Sequence, residues 1–320
     1  MAYVLGAMWL SAFTIIGIIN TSLVMILNQT LKVETTIMLQ YACTACMTLI
    51  YKKITTLLTD KKYQKDKQYQ EYEIKQWQFA FAGFLLLIAA FTHLQGIKMT
   101  SMPYNSVMML SIPFFVTILS GVILKENISS SIIQVTLGLI GVIIAMLPNL
   151  ITMKVDSSFK IGTLLLVISV LAYSLLDVLI KYTLNKKIEQ TNTFFYVSAY
   201  ASIFASIFIL IKSLWKYMMY NQLPAVYYLT NTHIFLIFVV GIGNVCALLC
   251  VFKAYENIEI SKIQPFKYIE LPISYFIGKY FFGNISFPVF WPGLAIMFFA
   301  SIYNAYTEMQ ISDNHKKIDI

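Results

Sequence analysis

The sequence predicts an all-α polytopic membrane protein of ten transmembrane helices, built as two inverted five-helix repeats. Three observations lead there. Of 320 residues, 58% are hydrophobic and only 12% charged, with a mean hydropathy of +0.72; a soluble domain carries about 25% charged residues. Ten apolar stretches approach the roughly 20 residues a helix needs to cross a bilayer. Landmarks in the first half recur, in order, in the second half.

Taken along the chain, the ten stretches are 3–27, 34–51, 77–95, 104–124, 131–150, 161–182, 191–213, 233–252, 262–282 and 287–307. The first has no basic segment before it and is too long for a signal peptide, so it is expected as a retained span. Connections are short except for 52–76 and a Tyr-rich stretch at 214–232. The 52–76 segment is charged, rich in Tyr and Gln, and low in complexity. It reads either as a solvated connector or as a contact for a partner or for anionic lipid. The first and sixth stretches start 158 residues apart, and Pro113 and Pro272 lie 159 apart. Asn127-Ile128-Ser129 after the one proline is echoed by Asn284-Ile285-Ser286 after the other. Five spans per repeat force the two halves into opposite senses, an arrangement found in many secondary transporters. The expected units are 1–150, carrying the 52–76 loop, 161–307, and a tail at 308–320.

The net charge of +8 does not point to nucleic acid. All 23 basic residues are lysine, whereas base and phosphate forks are the work of arginine. Placing both termini in the cytoplasm puts 15 lysines on inner segments and 7 on outer ones, seven of the inner set in 52–76, with Lys267 inside a span. That obeys the positive-inside rule and places the chain in a cell inner (plasma) membrane. Cys43/Cys46 and Cys246/Cys250 fall in apolar runs with no His or acid beside them. They read as packing residues, not a disulfide framework or metal set. No metal or cofactor is expected, and no soluble-enzyme motif occurs.

Ionisable residues at membrane depth are few, and each costs roughly 2.5–3.5 kcal/mol at a helix centre on insertion scales. The ninth stretch holds Lys267 and Glu270 between Pro265 and Pro272. Helical spacing puts both charges on one face, and the prolines free backbone carbonyls that need other partners. The pair serves either to fix packing or to exchange with a zwitterionic ligand. Asp177, in the sixth stretch, has Lys181 one turn on. It is either salt-bridged to that lysine or a second anionic contact or proton site. His93, beside Thr92, is a candidate proton relay or a packed hydrogen-bonding group. The fourth stretch adds Tyr104-Asn105-Ser106 ahead of Pro113. Tyr173, Tyr268 and Tyr275 share spans with the charges and are candidates for stacking on a flat ring or facing a cation.

These residues resemble the drug/metabolite transporter superfamily in its EamA-domain branch. The run Pro265-Phe266-Lys267-Tyr268-Ile269-Glu270-Leu271-Pro272-Ile273-Ser274 is similar to a family run, Pro-aromatic-basic-Tyr-x-Glu-Leu-x-Ile-Ser, of bacterial S-adenosylmethionine uptake transporters. Ser111 through Phe115 with Glu126-Asn127-Ile128 resembles the same relatives. So do Leu176-Asp177-Val178 with Lys181, and Tyr303 through Glu308. The chain departs at Gln40-Tyr41, where such proteins often carry an arginine, and at Gly283-Asn284, where a glutamate commonly stands.

The resemblance implies a secondary transporter of small molecules working by alternating access. Its substrate would be a zwitterionic or cationic metabolite, with S-adenosylmethionine the first candidate, taken up in exchange for S-adenosylhomocysteine. Lys267 suits the carboxylate, Glu270 and Asp177 the two cationic centres, and tyrosines the adenine. An amino acid or another nucleotide-like metabolite suits the same set. The alternatives are an exporter of amino acids or drugs, and a non-transporting scaffold acting through 52–76. The expected partners are a small-molecule substrate and the lipid bilayer, and a homodimer is compatible with this reading.

Overall fold

The computed structural model describes residues 2–58, 76–100, 102–129, 131–152, 157–186, 188, 190–220, 229–256, 258–282, 291–300, 302–303 and 306–307. All regular elements among them are helical. In chain order they are α1 Ala2–Leu27, α2 Val33–Leu58, α3 Gln76–Met99, α4 Met102–Met109 and α5 Ile112–Leu119. There follow α6 Ser131–Thr152, α7 Ser157–Asn185, α8 Gln190–Tyr220, α9 Asn231–Tyr255, the short α10 Ile260–Ile263 and α11 Glu270–Phe282. Trp291–Ala300 forms α12.

Seven helical segments among the described residues are long and apolar enough to cross a membrane, and Ser131–Ile144 and Trp291–Ala300 are shorter apolar helices. The chain is a multi-pass membrane protein. Its outer face bears large exposed apolar side chains such as Met8, Leu164, Leu210, Phe235 and Phe299, a surface suited to hydrocarbon. Buried hydroxyls are satisfied inside their own helices: Thr14, Thr44, Thr92 and Ser174 each donate to the carbonyl four residues earlier. That is how these apolar helices tolerate polar residues without partners from outside.

Two of the ten expected stretches are broken rather than continuous. The fourth divides into α4 and α5 around a turn at Leu110–Ser111, with Pro113 in the first turn of α5. Proline's missing N–H falls there among donors that a helix start leaves unpaired anyway. α5 then widens into a π turn, Ser120–Leu124, closed by Lys125 in the left-handed region at φ 57°. The ninth stretch divides into α10, a 3₁₀ segment Gln264–Ile269 containing Pro265, and α11 with Pro272 in its first turn. Two helices outrun their apolar cores. α2 continues through Leu58, so 52–58 is helix rather than loop, and α8 continues through Tyr220, absorbing the start of the Tyr-rich stretch. The rest of the lysine-rich loop, 59–75, lies outside the described residues, as do Asn284-Ile285-Ser286, Glu308 and the tail.

Packing is dominated by α3 on α7, α1 on α9 and α2 on α8, with α3 on α8 and α9 on α2 next. Small residues set the α3–α7 crossing. A Cβ on Gly96 would stand 2.7 Å from Leu166, and one on Gly162 would stand 2.7 Å from the Met99 Cβ. Ser169 Oγ donates across the same crossing to the Ala89 carbonyl at 2.9 Å. Close approach of this kind, not hydrophobic drive, holds helices together in lipid.

Candidate functional site

The helices enclose a cavity of about 480 Å³, with walls from α1, α2, α3, α4, α7, α8 and α9 and from the broken segment at Lys267 and Glu270. At one end it is lined by Trp77, Gln78, Thr183 and Thr193, and Trp77 and Gln78 are exposed, so it communicates with the surface there. These residues sit at the helix ends nearest the lysine-rich 52–76 segment. The deep end is lined by Asn20, Val24, Gln40 and Tyr41. Beyond it Leu27, Leu31 and Ile237 pack together, and Thr30 Oγ1 meets His233 Nε2 at 2.8 Å.

Lys267 is carried by the 3₁₀ segment, 7% exposed, and its ammonium lies 2.5 Å from Asp177 Oδ2 of α7. The same carboxylate oxygen accepts from the Tyr255 hydroxyl at 3.4 Å, which in turn accepts from Gln264 Nε2 at 3.3 Å. The ammonium also sits 5.7 Å from the centre of the Phe13 ring. The paired charges therefore have neighbours for their remaining donors and lone pairs, a condition for keeping ions out of water. Glu270, the first residue of α11, lines the same cavity.

The structure rearranges the pairings expected from sequence. Helical spacing placed Lys267 beside Glu270, and both line the cavity, but the bonded partner of Lys267 is Asp177 on another helix. Lys181 does not pair with Asp177. It is 5% exposed, and its ammonium donates to the carbonyls of Tyr255 at 2.6 Å and Ile258 at 2.7 Å. A cation there satisfies carbonyls at the C-terminal end of α9 and faces the negative end of its dipole. Opposite it, Glu126 accepts from the backbone N–H groups of Ile260 at 3.0 Å and Ser261 at 3.1 Å, and from Ser261 Oγ at 3.0 Å. It thereby caps the start of α10.

Of the tyrosines, Tyr173 reaches the cavity wall. Its ring meets that of His93 edge-on, 5.9 Å between centroids at 87°, and His93 lines the cavity too. Tyr268 does not reach it. That side chain is 2% exposed, its hydroxyl donates to the Val135 carbonyl at 3.3 Å, and it packs where a Cβ on Gly138 would stand. The Tyr275 side chain lies outside what the structure describes. Pro113 is buried at the start of α5, while Pro265 and Pro272 flank the segment that presents Lys267 and Glu270. Cys43 packs against Gly241 between α2 and α9.

Sequence reasoning passed over the neutral polar lining. Asn20 Nδ2 donates to Asn244 Oδ1 at 3.0 Å, and Asn244 Nδ2 donates to Thr44 Oγ1 at 3.0 Å, linking α1, α9 and α2 across the deep end. Gln40 and Tyr41, noted only as departures from a resemblance, line the cavity. Asn105, named in the fourth stretch without a role, lines it as well, 3% exposed. The available signal was an amide in the middle of an otherwise apolar helix.

Fold and site together define a polytopic helical membrane protein in which a broken span brings Lys267 and Glu270 to a central cavity beside Asp177 of α7. Among known proteins, no family model matches the chain. It is similar to the S-adenosylmethionine uptake transporter of Rickettsia bellii, 24% identical over 231 residues that span 71% of each chain. The S-adenosylmethionine uptake transporter of Rickettsia prowazekii is 25% identical over 236 residues, 73% of this chain and 74% of that one. A solved crystal structure superposes with a TM-score of 0.66 over 95% of this chain and 98% of its own length, at 10% identity, which speaks to the fold alone.

Proposed function

We propose that this protein is a secondary transporter that carries a zwitterionic, net cationic metabolite through its central cavity by alternating access, and that the metabolite is S-adenosylmethionine. The observation that carries the proposal is the meeting of Asp177, Lys267 and Glu270 on one cavity wall. Two carboxylates and one ammonium leave one negative charge in excess. S-adenosylmethionine has an ammonium, a sulfonium and a carboxylate, so it brings one positive charge in excess. Its carboxylate replaces Asp177 on Lys267, and its cationic centres take the two acidic side chains. The internal ion pair thus holds the site while no substrate is there, and opens by exchange rather than by exposing a bare charge. The names of the Rickettsia relatives support the same substrate. The demethylated product, S-adenosylhomocysteine, lacks the sulfonium charge and is the natural counter-substrate.

Two inverted halves, 1–150 and 161–307, supply the moving parts. Exchanging each span with the one five places on turns the α3–α7 contact into the α9–α1 contact and leaves α2–α8 in place, and these three packings dominate the molecule. The broken fourth and ninth spans correspond under the same exchange. With both termini cytoplasmic, the cavity opens inward, toward the 52–76 lysines, in an inner membrane.

The test is uptake of radiolabelled S-adenosylmethionine by cells expressing the chain. Saturable uptake blocked by S-adenosylhomocysteine, and not by methionine or ATP, is expected. Lys267→Ala and Glu270→Gln should each lose at least about 30-fold in uptake while reaching the membrane, the scale of truncating one member of a buried charge pair. Normal uptake by both variants removes the site assignment.

A further inference from the structure

Resting on that reading, we infer a second, uncharged subsite in the same cavity. His93 of α3 and Asn105 of α4 form a hydrogen-bonding couple that reads the edge of a planar nitrogen heterocycle, of the purine type, in the substrate. Both residues line the cavity. Their side chains adjoin. Asn105 stands beside the imidazole as its acceptor, while His93 Nε2, buried, has no hydrogen-bond partner among the described residues. A buried polar atom without a partner is expensive, and native structures keep one where a ligand or a reaction uses it. The amides at the deep end differ in this respect, because Asn20, Asn244 and Thr44 bond one another.

The chemistry of the couple selects its ligand. A carboxamide offers a donor and an acceptor side by side, the complement of an adenine edge that presents a ring nitrogen and an exocyclic amine. The imidazole adds one further donor or acceptor according to its tautomer. Neither carries a fixed charge, so the group read here is neutral. The Tyr173 ring stands edge-on to His93, and Met109, Leu94 and Tyr41 supply apolar and aromatic wall around the same part of the cavity. Tyr173 and Asp177 are four residues apart on α7, about 6 Å along a helix. A ligand with a ring at His93 and Asn105 therefore reaches the Asp177–Lys267–Glu270 charges with its other end. On this assignment His93 is a reader of the substrate rather than a proton relay.

Binding to the purified full-length protein tests this with three probes: S-adenosylhomocysteine, its 6-oxo counterpart with inosine in place of adenosine, and its 2′-deoxy counterpart. The wild type should prefer the adenine form over the 6-oxo form. Asn105→Leu and His93→Phe should each bind the adenine form at least about tenfold more weakly and lose that preference, the scale of one bidentate base contact. His93→Gln, which keeps a polar group at the position, should retain part of it. A ligand-free melting temperature of Asn105→Leu within a few degrees of the wild type's separates lost recognition from lost folding. Wild-type affinity and preference in both the Leu and Phe variants overturn the subsite and leave the transporter reading standing. A preference that shifts from the base to the 2′-hydroxyl also overturns it. Wild-type protein that binds none of the three probes overturns the substrate reading and the subsite together.

Discussion

At the scale of single residues, the Asp177–Lys267 pair is where stability and the proposed function meet. Neither charge is tolerable alone at 7–14% exposure, so Asp177→Asn or Lys267→Met strands its partner. Each should cost about 3–5 kcal/mol in detergent-solubilised denaturation. The double variant Asp177→Leu/Lys267→Met should recover most of that loss and still show no uptake. A double variant no more stable than either single one would mean that the pair does not act as a unit. The charges themselves were legible in the sequence, because an ionisable residue within an apolar helix needs a reason. Their pairing was not. Asp177 and Lys267 are 90 residues apart on different helices, a pairing that spacing within one span cannot announce. Asn20, Asn105 and Asn244 were harder still, since a neutral amide often serves only to join helices in a membrane.

The elements that matter most are the two broken spans, and one carboxylate ties them together. Glu126 follows the π turn of the fourth span and caps the first turn of the ninth, so it fixes where Lys267 begins its approach to the cavity. Glu126→Ala should destabilise the protein by about 1–2 kcal/mol, the worth of a helix cap, and should also lower uptake. Glu126→Asp, with a shorter reach, should fall between. Loss of stability without any change in uptake would separate the cap from transport. Lys125 immediately before it holds φ 57°, so Lys125→Gly should be neutral or stabilising by up to about 1 kcal/mol in a thermal melt, whereas Lys125→Val should cost at least that much. Proline announced these breaks in the sequence, at Pro113, Pro265 and Pro272. The π turn had no such marker. The helical extensions at Lys52–Leu58 and Leu214–Tyr220 were hidden for a different reason: hydropathy stops where lipid stops, and a helix need not.

For the whole molecule, transport requires that the closed end open in its turn. In this structure the cavity meets the surface at Trp77 and Gln78, while Leu27, Leu31 and Ile237 seal the far end. The outermost contact of the seal links the turn after α1 to the start of α9. Thr30 Oγ1 meets His233 Nε2 at 2.8 Å, and His233 also completes the capping box of α9 with Thr230. If the two halves rock about the central site, Thr30 and His233 separate when the cavity faces outward and rejoin when it faces inward. Replacing both with cysteine, in a background lacking Cys43, Cys46, Cys246 and Cys250, places two thiols within reach of a short bifunctional reagent that carries a reducible disulfide. Cross-linking should then hold the inward-facing state. Uptake into cells should vanish, and reduction should restore it. S-adenosylhomocysteine presented from the cytoplasmic face, in inside-out vesicles, should still bind and should still shield a cysteine placed at Thr193 from maleimide. Uptake that survives complete cross-linking would show that this end never opens, and the substrate would need another route through the bundle. Lost binding from the cytoplasmic face would instead show that the clamp distorts the site itself. Only the combination of blocked passage and intact inward binding describes a protein whose two ends open in alternation around one cavity.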